Sequence, residues 1–439
     1  MQSDTRSLRF FASTPLILAI AFGLGVAVAP SAHAQSQPPV LPTLDDQVLF
    51  YLGNNCQNLD PAGSGGFGPN LENICFYPSG VPATAGGGAA SPQGSTLSLQ
   101  NSVIQDRLER AKDRGGHASS PSVAGAMRGR SGKGREDASD TPGDSGTVSA
   151  SSGFDIFASG SYEGLDRNVT PFEDGYDSSV LGGAFGFDYQ FNDMVVAGAV
   201  LGVRRQDADF KGGGDFEMTA IEPSIYVSVL PSPKTFLQFV AGYGAQNADV
   251  NRAVHFEVVD SGASVDGTAA SAGDANAYSS SAQFGFDQPA GRFTYGPRVG
   301  VNYARTKIDP YFETGGTGLE LRIDGRTVDS LQAMAAFFGS WAISTKRGVV
   351  LPQFNVGYVH EFEDDASIVT AQFAEDLRGP GATTFIFGTS VPDSDFFNVE
   401  AGVAAVFPRG IQFFVNLRTM LGNENFDNMG GTIGIRFEL

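Results

Sequence analysis

The sequence predicts an all-β membrane protein. Its core is a twelve-stranded antiparallel transmembrane β-barrel over 153–439, preceded by a short helix and a small irregular disulfide-containing segment. Three observations predict it. From residue 153 onward, segments alternate an apolar and a polar parity. The connections between them alternate short (192–193, 231–234, 289–291, 345–348, 408–410) and long (165–177, 206–214, 247–275, 308–326, 363–395, 421–430). Barrels have this asymmetry because their periplasmic turns are tight and their surface loops long, whereas a soluble sandwich has no reason to keep its two ends so unequal. Finally, no internal run of about eighteen apolar residues follows the extreme N-terminus, which argues against a helical span in the mature chain.

Residues 1–34 read as a secretory signal. Arg6 and Arg9 make a basic start, 15–29 is apolar, and Ala32-His33-Ala34 puts small residues at the two positions a peptidase reads. The segment 35–96 is Pro/Gly-rich, with too few apolar anchors to bury a core of its own. It holds the only two cysteines, Cys56 and Cys75, in an exported region where a single disulfide is permitted. Residues 97–114 read as a helix. Leu97, Ile104, Leu108 and Ala111 share a face, Ser95 or Thr96 caps the start, and Gly115-Gly116 ends it. Its basic residues are Arg107, Arg110, Lys112 and Arg114; they either enter the barrel and plug it or form a solvated face elsewhere. Residues 115–152 are a flexible Gly/Ser/charged linker.

The barrel strands are expected at 153–163, 178–191, 194–205, 215–230, 235–246, 276–288, 292–307, 327–344, 349–362, 396–407, 411–420 and 431–439. Lipid-facing rows include Leu237, Phe239, Ala241, Tyr243 and Ala245; Phe397 to Phe407 at alternate positions; and Ile411, Phe413, Val415 and Leu417. The opposite parity carries Arg204, Glu222, Arg298, Asn302, Glu400, Asn416, Arg418 and Arg436. A charge facing lipid at mid-bilayer costs about 2–4 kcal/mol, so these belong in the lumen. Tyr162, Tyr189, Phe191, Phe236, Phe293, Tyr303, Phe362 and Phe407, near strand ends, suit the interfacial girdles. An even strand number puts both barrel termini on one side, which the short turns make the periplasm.

The formal net charge of −20 argues against nucleic-acid binding and suits acidic surface loops. Those loops could share divalent cations with lipopolysaccharide, but no dedicated metal-loop spacing occurs and no cofactor is implied. Gly143-Asp144-Ser145-Gly146 resembles a hydrolase serine block. Ser145 nevertheless lies in the linker without a flanking core, a base or an oxyanion hole, so no catalytic residue is assigned and the chain is not read as an enzyme.

The layout resembles the autotransporter family of type V secretion. Pro352 to Phe362 looks like the family's ninth-strand block, which commonly ends in His/Glu-Phe. Ile411 to Thr419 followed by Gly430 to Leu439 looks like its closing strand pair. The last strand places Ile433, Ile435, Phe437 and Leu439 on one face, the pattern read by the barrel-assembly machinery. The chain departs from the family in ending on Leu439 where Phe is usual, and in having an unusually short passenger. Some members self-cleave between paired asparagines beside the barrel. Asn54-Asn55 lies far upstream, so turn chemistry explains it better and the passenger is expected to stay tethered.

The resemblance implies a monomeric outer-membrane barrel that meets periplasmic chaperones, the assembly machinery, lipid and lipopolysaccharide. Such a barrel translocates and displays its own N-terminal segment. The rivals are a surface adhesin using the long loops for an unknown extracellular ligand, and a partly plugged pore with a periplasmic N-terminal segment.

Overall fold

The structure is a computed structural model that describes residues 80–83, 153–258, 264–378 and 384–439. The signal, the cysteines, Asn54-Asn55, Ser145, the helix 97–114 and the linker lie outside the described residues. Twelve strands build the wall. They are β1 (Phe154–Arg167), β2 (Tyr176–Asn192), β3 (Val195–Phe210), β4 (Gly214–Ser232), β5 (Thr235–Val258), β6 (Ser264–Phe286), β7 (Phe293–Ile308), β8 (Arg326–Trp341), β9 (Val349–Glu361), β10 (Asp395–Val406), β11 (Ile411–Leu421) and β12 (Phe426–Glu438).

Each strand pairs antiparallel with the next, and β12 pairs with β1 through Ile433↔Gly160, closing the barrel. Closure removes the open edges that lipid cannot hydrogen-bond. The two parities separate as the pattern demands. Leu201 is 49% exposed beside Val200 at 4%, and Ile225 is 64% exposed beside Tyr226 at 2%.

At one end, the turn end, the connections are tight. Asn192 Oδ1 accepts the Met194 amide (2.8 Å), and Thr345 N donates to Gly348 O (2.8 Å). A 3-10 turn, Pro408–Gly410, joins β10 to β11. Gly291 (φ 68°) and Gly410 (φ 72°) supply left-handed backbone that a side chain would disfavour.

The opposite, loop end differs from the expectation. Much of 206–214, 247–275 and 421–430 is strand: β3, β4, β5, β6, β11 and β12 run into these stretches, and among the described residues only 211–213 and 422–425 are left as connections there. Pairing continues because side-chain contacts across the strands sustain it. Arg205 pairs with Glu217 (2.7 Å), and Asn251 Nδ2 donates to Asp215 (2.9 Å). On the inner face, Tyr176, Ala208, Phe210 and Phe216 pack as a buried cluster with Val250. The rings of Phe210 and Phe216 meet that of Tyr176 edge-on.

The stretches 308–326 and 363–395 also carry strands of their own. Tyr311–Phe312, Leu321–Ile323, Ile368–Phe373 and Phe385–Gly388 form a four-stranded antiparallel sheet in that order. It buries Leu321, Ile323, Val369, Ala371, Phe373 and Phe387.

The girdle expectation needs one correction. Tyr162, Tyr189, Phe191 and Phe362 are exposed, but Phe236 is fully buried. It shares its parity with Gln238 and Val240, both buried, so it points into the lumen and not toward lipid.

Candidate functional site: the lumen and its roof

Near the turn end, inward side chains pack into the lumen. Phe157, Val200, Tyr226, Val240, Ala404 and Phe414 form one buried cluster, with Ala184 and Leu351 packed against it. Four inward aromatics each lie over the glycine directly opposite on the neighbouring strand: Phe157 over Gly186, Tyr226 over Gly198, Phe236 over Gly285, and Phe414 over Gly434. A Cβ on any of these glycines would fall 2.1–2.6 Å from a ring carbon. Glycine therefore makes room for a ring that lies against the wall.

Charged groups are built into the same layer. Arg436 bonds Asp155 (2.9 Å) and Asp188 (2.7 Å), and the Tyr226 hydroxyl donates to Asp188 (2.9 Å). Arg298 pairs with Asp287 (2.7 Å) and lies between the rings of Phe236 and Phe338, 4.5 and 4.4 Å from their centroids. Arg204 pairs with Glu222 (3.2 Å). Burying one charge alone costs several kcal/mol, which partners on neighbouring strands offset.

Further toward the loop end, Arg418 pairs with Glu163 and stands opposite Glu400 in register. Gln353 donates to Asn416 (3.1 Å). Above this layer is a cavity of about 550 Å³ whose wall includes Asn302, Gln332, Asn355, Glu400, Arg418 and Asn428. Ser367, Ser390, Val391, Pro392 and Asp393, from the 362–394 connection, line it from the loop end as a roof.

Backbone bonds tie the connections of the loop end to one another. Asn168 N reaches Asn425 O (3.0 Å), Asp324 N reaches Thr370 O (3.0 Å), and Ala374 N reaches Glu320 O (2.8 Å). Asp393 accepts the Glu424 amide (2.7 Å). Glu361 anchors the base of the roof, accepting from Ser330 Oγ (2.6 Å), Leu331 N (2.8 Å), Gln332 Nε2 (3.1 Å) and Glu363 N (3.1 Å).

Arg252, on the extension of β5, holds the 309–325 connection. It bonds Glu313 through both carboxylate oxygens (2.9 and 2.6 Å) and Leu319 O (3.1 Å). Glu320 closes a turn by accepting from Thr317 N (2.6 Å), Thr317 Oγ1 (2.7 Å) and Gly318 N (2.8 Å). Burial pushes its carboxyl up, but these donors outweigh burial and hold it below the ordinary glutamate range.

Of the residues singled out in the sequence, Arg204, Glu222, Arg298 and Arg436 are buried, while Asn302, Glu400 and Arg418 line the cavity. Ile433 and Leu439 are exposed on the lipid parity of β12, and Leu439 N bonds Phe154 O (3.1 Å). Cys56, Cys75, Arg107, Arg110, Lys112 and Arg114 lie outside the described residues. Sequence reasoning missed Arg252 because it stood inside a presumed loop. Its one signal was parity: Val250, Arg252 and Val254 continue the inward row of Phe236, Gln238 and Val240.

A closed twelve-strand meander with an apolar exterior and a charged, hydrogen-bonded interior is a transmembrane β-barrel. The chain belongs to the autotransporter family: the model for the autotransporter beta-domain matches residues 156–418, more than half of it. An autotransporter β-domain implies an outer-membrane location, and the family has a translocator fold and is not an enzyme family.

Among solved structures, the translocator domain of the autotransporter NalP from Neisseria meningitidis is similar at 14% identity and a TM-score of 0.52. That match covers 66% of this chain and 89% of that one. The beta domain of the Bordetella autotransporter BrkA is similar at 17% identity and a TM-score of 0.47, covering 65% of this chain and 100% of that one. At these identities the likeness to NalP shows the fold alone. A search among curated proteins finds no match to the sequence.

Proposed function

We propose that this barrel translocates the chain's own short N-terminal segment, 35–96, and keeps it displayed at the cell surface. The loop end faces outward and the turn end faces the periplasm. Family membership over 156–418 is the observation that carries this reading. The helix 97–114, or the linker after it, occupies the lumen as a plug. Charge supports the plug: the cavity lining holds Glu173, Asp329, Glu361, Glu363, Asp365, Asp393 and Glu400 against Arg167, Arg326 and Arg418. A helix bearing Arg107, Arg110, Lys112 and Arg114 complements such a lining.

The route follows from the resemblance: a hairpin threads the forming barrel, helped by the assembly machinery, which reads Ile433, Ile435, Phe437 and Leu439. Folding outside replaces ATP as the driving force, and no side chain is catalytic. An epitope placed beside Cys56 tests display. Protease added to intact cells is expected to remove it. An epitope that survives while the outer loops are cut means that the N-terminal segment is periplasmic, as in the pore alternative.

A further inference from the structure

One length of barrel strand outruns its neighbour. β4 begins at Gly214, opposite Arg252, and the last bond on that side is Ala253 N to Gly213 O (3.3 Å). Beyond it, β5 continues to Val258, held by β6 through Phe256↔Val265 and Glu257↔Ser264. Its edge toward β4 has no wall strand beside it among the described residues. The run Val254-His255-Phe256-Glu257-Val258 contains no glycine or proline and is rich in β-formers. An edge of this kind offers a row of backbone donors and acceptors to any extended peptide.

In the structure that edge is taken. Gly80–Ala83 pairs with it antiparallel, Gly80 opposite Val258, Val81 opposite Glu257, Pro82 opposite Phe256 and Ala83 opposite His255. A proline is tolerated there because the added strand is itself an edge. We infer that the outer part of β5 is an acceptor strand for the chain's own N-terminal segment, gripping it by main-chain hydrogen bonds as in strand addition.

The inference rests on the display reading, and chain length permits it. Residues 84–153 span up to roughly 230 Å when extended. The whole of β5 measures about 80 Å along the strand. Even with 97–114 helical, at ~27 Å, the chain can return through the lumen from Ala83 to β1. The barrel then retains its cargo twice, by the covalent linker and by a strand added at the outer rim.

The test is a disulfide in register. In full-length protein in intact cells, Val81→Cys with Glu257→Cys should cross-link, whereas Val81→Cys with Asp249→Cys, farther down the same strand, should not. Cleavage at methionine with cyanogen bromide separates the fragment ending at Met127 from the one between Met218 and Met334. A disulfide between those two fragments is read from their mass, and Glu257→Cys with Val81 intact, which leaves only Cys56 and Cys75 in the first fragment, should give no such link.

Heat-modifiable gel mobility reports barrel assembly, and the epitope beside Cys56 reports display separately. Linkage of the 81/257 pair alone, with the epitope shaved, supports the inference. A folded barrel with a shaved epitope and no 81/257 link overturns it and leaves display standing. A protected epitope overturns both. If the cysteine variants do not assemble, hydrogen exchange decides: removing 35–83 from the otherwise unaltered chain should lower protection at His255 and Glu257, whose amides, like that of Ala253, face away from β6, and unchanged protection at these two overturns the inference.

Discussion

Phe414 lies flat against the wall because Gly434 opposite it has no side chain, and Phe157, Tyr226 and Phe236 are seated in the same way. Gly434→Val would put Cβ 2.2 Å from the Phe414 ring and 3.0 Å from Ala158 O, forcing the ring out of its seat. Overpacking of this kind costs ~1–3 kcal/mol. The variant is expected to lower the temperature at which the folded, fast-migrating form is lost on gels. Gly160→Ala, where only Gly182 O comes within 4 Å, should leave that temperature unchanged. At this scale the sequence told inward from outward but not who meets whom. Parity marked Arg436 and Arg298 as lumenal, yet nothing in one sequence pairs Arg436 with Asp155 or seats Arg298 between Phe236 and Phe338. Those contacts depend on which strands closure makes neighbours.

At the scale of elements, turn chemistry marked the tight end clearly, because Asn, Pro and Gly have local reasons to sit there. The loop end was harder to read. Past the lipid band both faces of a strand become polar, so alternation fades although pairing persists, and 247–275 looked like a loop. The roof sheet was invisible for a related reason: strands as short as Tyr311–Phe312 exist only because tertiary contacts hold them. Glu320 gives that roof a pH dependence. Its folded carboxyl lies below the ordinary glutamate range, so its stabilising effect is fully present above the unfolded value and is lost as pH falls through the folded one. Hydrogen exchange over 313–323, corrected for the intrinsic rate, should therefore show the turn loosening on acidification. Glu320→Gln, which cannot ionise, is expected to flatten that response; a response of equal size in the variant would place its source elsewhere.

At the scale of the whole molecule, the alternation of turns and loops was enough to find twelve strands and antiparallel closure, because membrane geometry forces that regularity. The lumen's role follows less directly, since a barrel alone does not say what it carries. Its acidic cavity and the basic segment 97–114 of the same chain join the two halves of the proposal. A photo-activatable side chain in place of Arg110, irradiated in intact cells, tests that junction most directly. The expected product is an intramolecular link from 110 to a lumen-lining stretch containing Asn302, Gln332 or Glu400. Links only to other proteins, to lipid or to the outer face of the barrel would contradict a helix held in the lumen.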